Sequence, residues 1–499
     1  MKQGSENIQA TLRLPALAAV LALFAMAGLQ AKSPVQAPED TPIIGPWDRL
    51  LVERMYRHMA SEDPDAGLAD LMETEAYRQL MQQEPLRLFG GPVLGCVTPH
   101  SARLWVRSNG PAAVQAVVSS QPDLRNPIRS DMVRTSAEND FTALLDVSGL
   151  KPSSTYYYEI VLDGEPMLGG NEPLCPERPS FRTFPETGKH ARFTVGFGGG
   201  ARYIPENERI WDTIAARSPL AFLLMGDNVY IDQPRNRTRQ RVMYYRRQLR
   251  PEYRRMAAST AIYAIWDDHD FGDNDCHGGP DPFKPDWKLP VWRVFRENWN
   301  NPAYGGGEEQ PGCWFDFRIG DVQFFMLDSR YYRTDPGGGN RTMLGPAQKE
   351  WLFRELRESD ATFKILASPV PWAYGSKPGS SDPWQGYREE RAEIFSFLHR
   401  NDIGGVVLIS ADRHRSDVWK IEREEGYDLY EFESSRLTNR HKHREFNEKA
   451  LFSYNDPQSF GLLAFDTRKD DPTVTYKIYN IDGEHVHTHT LKRSVLSAE

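Results

Sequence analysis

The sequence predicts a layered α/β domain preceded by an all-β sandwich, and three observations predict it. Beyond residue 187, apolar runs recur, each followed by polar or charged residues, with helical patterns between several of them. Those runs are continuously apolar, as strands covered on both faces are. From Gly91 to residue 186 the runs are instead short, alternating and punctuated by Pro and Gly. A chain of 499 residues exceeds one ordinary hydrophobic core, so at least two domains are expected. The 39% apolar fraction and 12 tryptophans exclude a disordered chain, and the net charge of -9 gives no general polyanion-binding signal.

Taken in order, residues 1–31 have the layout of an export signal: Lys2 and Arg13, then "LPALAAVLALFAMAGL", then Ala31 before Lys32. The apolar run falls short of the ~20 residues needed to span a bilayer. No twin arginine precedes it, so a Sec-type signal and a periplasmic or secreted protein are expected. Residues 32–88 form a helical segment, with apolar positions at helical spacing in "LADLMETEAYRQLMQQ". Residues 89–186 form the sandwich. Within it, "LKPSSTYYYEIVLDGE" places Tyr156, Tyr158, Ile160 and Leu162 on one strand face after a proline turn. That segment resembles the tyrosine-corner region of a fibronectin type III-like (Ig-like) module, with Tyr156 at the corner. Residues 187–499 form the α/β domain. Four cysteines permit three connectivities, and the expected pairing in an exported chain is Cys96 with Cys175 and Cys276 with Cys313.

In the α/β region every charged cluster follows a predicted strand, at the carboxyl end where open α/β sheets gather ligand sites. Three clusters carry metal-ligand chemistry: "GDNVY" at residues 226–230, "DDHD" at 267–270 and "ADRH" at 411–414. Five aspartates, one histidine and one asparagine crowd residues 265–275, and so many like charges need full solvation or a bound cation. Asp227, Tyr230, Asp268 and Asp412 offer hard oxygen, and His414 offers nitrogen. Two cations about 3.5–4 Å apart would neutralise the group, with Asp227 as the expected bridge. Tyr230 points to iron(III), because a phenol ionises near pH 10 unless a strongly acidic ion holds it deprotonated.

These motifs, with "LDSRYYR" at residues 327–333, resemble those of PhoD-like alkaline phosphatases of the calcineurin-like metallophosphoesterase superfamily. The resemblance runs from about Gly91 to the C-terminus. It implies a metallophosphatase domain built as a β-sandwich flanked by helices, and Asp227, Tyr230, Asp268, Asp412 and His414 as metal ligands. Where the family commonly has an Asn pair this chain has Asp273 and Asn274, which makes Asn274 a candidate calcium ligand. His269 is placed to protonate the leaving alkoxide or steady the phosphate, and Arg330 matches the family's Asp-x-Arg element, a fork for phosphate oxygens. The implied activity is phosphomonoester or phosphodiester hydrolysis by in-line attack of metal-bound hydroxide, using two or more metal ions. Fe3+ with Ca2+ is the expected pair, with Zn2+ or Mn2+ as alternatives. The implied partner is a small phosphate ester, and nucleic acid enters only as a phosphodiester substrate. Two departures stand out. "GFGGGAR" lacks the cysteine ligand that family members often carry at the end of the first strand, and Ala411 replaces the usual glycine of the last motif.

Competing readings follow from the same residues. "GFGGGA" fits G-x-G-x-x-A after a strand, the mark of a dinucleotide-binding oxidoreductase, but Tyr203, Ile204 and Pro205 separate it from the next helix. The missing cysteine also fits a non-catalytic surface binding protein with a degenerate site. "DNDCHGGPDPFK" is no EF-hand, because Lys284 stands where glutamate is needed. The arginine-dense stretch 235–255 is either a funnel for anions or a solvated helix with acidic neighbours. His485, His487 and His489 share a strand face and either bind zinc or simply lie exposed. "FESSRLTNRHKHRE", residues 432–445, lines the leaving-group side or forms a surface loop.

Overall fold

In the computed structural model, which describes residues 42–168, 178–443 and 448–497, the continuously apolar runs are the central strands of two facing sheets. The export-signal layout and Cys175 lie outside the described residues. Among those described, no helix is long and apolar enough to cross a membrane.

The N-terminal helical pattern ends in the helix Glu75–Gln83, where the Thr74 hydroxyl accepts the Tyr77 N–H at 3.2 Å and so satisfies one of the free donors of the first turn. The alternating runs that follow form two small sheets. One has the order β1 (Leu88–Gly95), β2 (Ser101–Ser108), β6 (Thr142–Ser148). The other is built on β3 (Ala113–Ser119) and β7 (Thr155–Leu162), with the short strands β4 (Ile128–Arg129), β5 (Val133–Arg134), β8 (Glu165–Pro166) and β9 (Ser180–Arg182) along them. Leu104, Leu145 and Val147 from the first sheet and Val114, Val118 and Ile160 from the second share one buried cluster. The Tyr156 hydroxyl accepts the Lys151 N–H at 2.9 Å, tying the strand back to the turn before it.

The six-stranded sheet has the order β12 (Ala261–Ile265), β11 (Ala221–Met225), β10 (Arg192–Gly198), β20 (Ser459–Asp466), β21 (Thr473–Asn480), β22 (His485–Lys492). β10, β11 and β12 are parallel, so their carboxyl ends emerge side by side. The seven-stranded sheet runs β13 (Phe315–Ile319), β14 (Val322–Met326), β15 (Phe363–Ala367), β16 (Val406–Ser410), β18 (Leu429–Ser434), β17 (Ser416–Ile421), β19 (Phe452–Tyr454), with β14, β15, β16 and β18 parallel. Aromatic pairs join the sheets: Phe432 stacks on Tyr476 at 4.6 Å, and Phe324 meets Phe465 edge-on at 5.9 Å. The outer face of the seven-stranded sheet packs under the helices Gly345–Glu358 and Arg388–Arg400 through Leu352, Leu366, Ile394 and Leu408. Each fully buried aliphatic side chain contributes about 1.5–3 kcal/mol, so strands buried along their whole length hold the polar loops at their ends in fixed register.

Two sequence expectations are corrected here. Cys276 and Cys313 are not bonded to one another. The Cys276 thiol donates to the Asp268 carbonyl at 3.6 Å, while Cys313 is fully buried and its backbone N–H donates to Asp328 at 2.9 Å, so the two residues are held by different parts of the loop core. The arginine-dense stretch is not a solvated face over the helix Arg237–Gln248, whose C-terminal half is buried. Arg246 chelates Asp48 at 2.6 and 3.1 Å and Arg247 meets Glu208 at 3.1 Å, so these charges are internal cross-links. The three C-terminal histidines take separate neighbours: His487 stacks on Phe452 at 3.8 Å, and His485 Nε2 lies 2.7 Å from the Thr488 hydroxyl.

Candidate metal centre

The exits of β11, β12, β14 and β16 carry the motifs singled out from sequence. After β11 the chain turns at Gly226, whose φ of +97° is left-handed; a Cβ there would stand 2.6 Å from Asp267 Cβ. Glycine thus lets the β11 loop lie directly against the β12 loop. Asp227, Asp412 and His414 themselves have φ of 53°, 64° and 52°. Such conformations cost of order 1–3 kcal/mol each for non-glycine residues and gather at functional sites. Asp270 locks the two loops together: one oxygen accepts the Asn228 and Val229 N–H groups at 2.9 and 3.1 Å, the other the Asp267 N–H at 3.0 Å.

This scaffold brings ligand atoms of Asp227, Asp268 and His269 within 4.8 Å of one another. Tyr230 donates to Asp227 Oδ2 at 2.7 Å, receives the Asn439 amide at 2.8 Å, and stacks on His269 at 4.3 Å. His269 Nδ1 is 2.5 Å from Asp232 Oδ1. Asp268 Oδ2 accepts the Asp275 N–H at 2.7 Å, and the neighbouring Asn274 is exposed. Lys377 sits between Asp275, Asp382 and Asp412 at 3.2, 3.0 and 3.4 Å. His414 lies beside His441 and His443, all three with a ring nitrogen within 4.8 Å of the others.

Arg330 is placed differently from the sequence expectation of a fork offered to phosphate. It is wholly buried, with Nε on Asp267 at 2.5 Å and its terminal nitrogens on Asp382 at 2.7 and 3.3 Å and on the Cys276 carbonyl at 3.2 Å. Its donors face protein, so in this geometry it positions the acidic loop. Sequence reasoning does not single out Asp232, Lys377 or Asp382, and it offers Asn439 only as part of the stretch 432–445. Only their place in segments following a strand or motif distinguishes them, because those segments have no apolar period.

The electrostatics state why such a cluster calls for cations. Burial pushes the Asp227 carboxyl well above the usual range; His269 pulls it down, and Asp268 and Asp270 push it up again. Burial also raises Asp412, against the pull of Lys377. Asp268 is held down to about 2 despite burial, by Arg330 and His269. Burial, with His443 and His441 next to it, keeps the His414 imidazole neutral. Asp227 Oδ1 and His414 Nδ1 are buried without a hydrogen-bond partner, and Asp412 Oδ2 has only the Lys377 ammonium at 3.4 Å. A buried polar group left unsatisfied costs about 1–3 kcal/mol, so each of these atoms is a candidate cation ligand. The donor set of carboxylate, phenol and imidazole fits one or more such ions.

A pH dependence follows for protein stripped of metal. Burial alone would lower His269, but Asp268, Asp227 and the Asp232 hydrogen bond outweigh it and raise it from 6.5 to about 10. The folded state then binds the extra proton, so the stabilisation is complete below pH 6.5 and is lost as pH rises through about 10. Thermal melting of chelated protein will show a midpoint that falls across that window and recovers when divalent cations are added.

Comparison with known proteins agrees with this architecture. Alkaline phosphatase D of Bacillus subtilis (strain 168) is 31% identical over 120 residues, which span 20% of this chain and 21% of that protein, about a fifth of its length. Among solved structures, that of PhoD superposes with a TM-score of 0.66 at 18% identity, covering 82% of this chain and 92% of that one. A purple acid phosphatase from yellow lupin seeds superposes with 0.57 at 11% identity, covering 81% and 75%. Residues 85–178 match a domain of unknown function, DUF7800. Residues 196–476, more than half of the chain and the span holding the motifs at the exits of β11, β12, β14 and β16, match the family described as PhoD-like phosphatase, and the chain belongs to that family.

Proposed function

We propose that this protein is an exported, metal-dependent hydrolase of phosphoric esters whose centre is held by Asp227, Tyr230, Asp268, Asp412 and His414. The observation that carries this reading is the approach of Asp227, Asp268 and a ring nitrogen of His269 to within 4.8 Å, with Asp227 Oδ1 buried and unpaired. Family membership supports the reaction class. Bound cations would withdraw charge from phosphoryl oxygens and make a water nucleophilic at neutral pH. The side chains do the remainder. Asp227, fixed by the Tyr230 hydroxyl, would be one of the carboxylates that hold the cations. His269, steadied by Asp232, donates a proton to the departing alkoxide as in-line displacement proceeds. Arg330 holds Asp267 and Asp382 and, through them, the shape of the acidic loop. Asn274, exposed beside Asp275, remains a candidate outer calcium ligand.

The two facing sheets of residues 89–186 and the Tyr156–Lys151 hydrogen bond support a fibronectin type III-like module ahead of a phosphatase domain at 187–499, with 32–88 as the helical lead-in. In the glycine stretch after β10, a Cβ on Gly199 would stand 2.7 Å from Ala411 Cβ, and the next helix, Ile210–Ala215, begins well downstream. That packing favours close approach of the motif loops over a dinucleotide fingerprint.

The test is release of phosphate from a chromogenic monoester and diester by protein treated with chelator and then given iron, calcium, manganese or zinc. Activity lost with chelator and restored by cation supports the hydrolase; ligand binding without turnover under every cation supports a binding protein. His269→Gln will lower kcat by about 10²- to 10⁴-fold if it supplies the proton. Asp232→Asn, acting through His269, will cost about tenfold to a hundredfold.

A further inference from the structure

The stretch without the cysteine and the loop 436–443 meet directly. Arg436 and Leu437 donate their N–H groups to the Gly199 carbonyl at 2.9 and 3.0 Å, and Asn439 donates to Gly200 at 3.1 Å. A Cβ on Gly200 would lie 3.1 Å from the Arg436 nitrogen and 3.3 Å from His414 Cδ2, at a left-handed φ of +69°. A side chain at 200 would therefore push on this loop and enter the space beside His414. With glycine there, Asn439 accepts the His441 N–H at 2.9 Å, and the loop brings His441 and His443 to ring-centroid distances of 5.1 and 5.8 Å from His414. His414 Nδ1 is buried and has no hydrogen-bond partner.

We infer that His414, His441 and His443 form an all-imidazole seat for a divalent transition-metal ion, one that does not depend on Asp227; the inference rests on the phosphoesterase reading above. Three neutral imidazoles suit Zn2+ or Co2+ and do not suit Ca2+, which takes oxygen. Three protein ligands also leave a coordination position open, as catalytic zinc sites do. Arg413 Nη1 stands 3.3 Å from His443 Nε2, so an ion bound through that nitrogen would have to displace the guanidinium.

The test uses the full chain, stripped by chelator and reloaded with Co2+ alone, with metal content and visible absorption measured on the wild type, on His441→Ala/His443→Ala and on Asp227→Asn. The wild type is expected to show the strong visible band of low-coordinate, nitrogen-bound Co2+. The double histidine variant is expected to lose that band and about one equivalent of metal, and Asp227→Asn to keep the band. Should the double variant fail to fold by circular dichroism, H441A and H443A singly are expected to weaken the same band. A wild type without the band, or histidine variants with an unchanged band and metal content, overturns the inference. Phosphate release measured on the same samples separates the two readings: a wild type that shows the band yet hydrolyses no ester under any cation keeps the imidazole seat and refutes the hydrolase.

Discussion

Asp227→Asn will lower phosphate release by about 10²- to 10³-fold or more, while the protein stays folded. Removing a single group that stabilises transition-state charge already costs about that much, and Asp227 is asked to do more. Its Oδ2 receives the Tyr230 hydroxyl, its Oδ1 is buried and unpaired, and it neighbours both Asp268 and His269. Asparagine keeps the shape and removes the charge, so the change isolates cation binding from packing. In stripped protein the same substitution should raise the melting temperature, because burial and the Asp268 and Asp270 carboxylates disfavour the ionised Asp227 when no cation is bound. A variant that loses activity and gains metal-free stability separates a functional carboxylate from a structural one.

Arg330→Met will destabilise the fold by about 3–5 kcal/mol, the cost of breaking a buried ion pair by removing one partner. Methionine has similar reach but leaves Asp267 without its guanidinium and removes both contacts to Asp382. Arg333 and Lys377 still hold Asp382 at 2.9 and 3.0 Å, so the larger penalty falls on Asp267. Urea unfolding at pH 7 measures it. Adding Asp267→Asn to Arg330→Met should recover part of the loss, which an arginine acting only on substrate would not predict.

Much of the architecture is legible in the sequence. Continuous apolar runs such as "VVLIS" and "AFLLM" can be stable only with both faces covered, and they are β16 and β11, central strands of the two sheets. Because each motif follows its strand immediately, chain position alone placed Asp227, Asp268, Asp412 and His414 at neighbouring loop exits. What stayed hidden depended on direction and on distant pairing. The sequence offers an arginine at 330 but not its orientation, and burial turned its fork towards Asp267 and Asp382. Lys377 and Asp382 lie in a loop with no apolar period, so nothing local announces that they face Asp412. The expected pair Cys276–Cys313 does not form because spacing says nothing of depth, and Cys313 is sealed under the β14 exit. The stretch 432–445 leaves open a place on the leaving-group side or a surface loop, because nothing local shows that residues 436–439 donate to the carbonyls of Gly199 and Gly200.

An anomalous-scattering map of crystals grown with iron and calcium would examine the shared-cation claim most directly. Peaks heavier than water, within bonding distance of Asp227 and Asp268 and with the unpaired oxygen of Asp227 engaged, are the predicted result. A map showing only water among those side chains, in protein that hydrolyses phosphate esters, would contradict it.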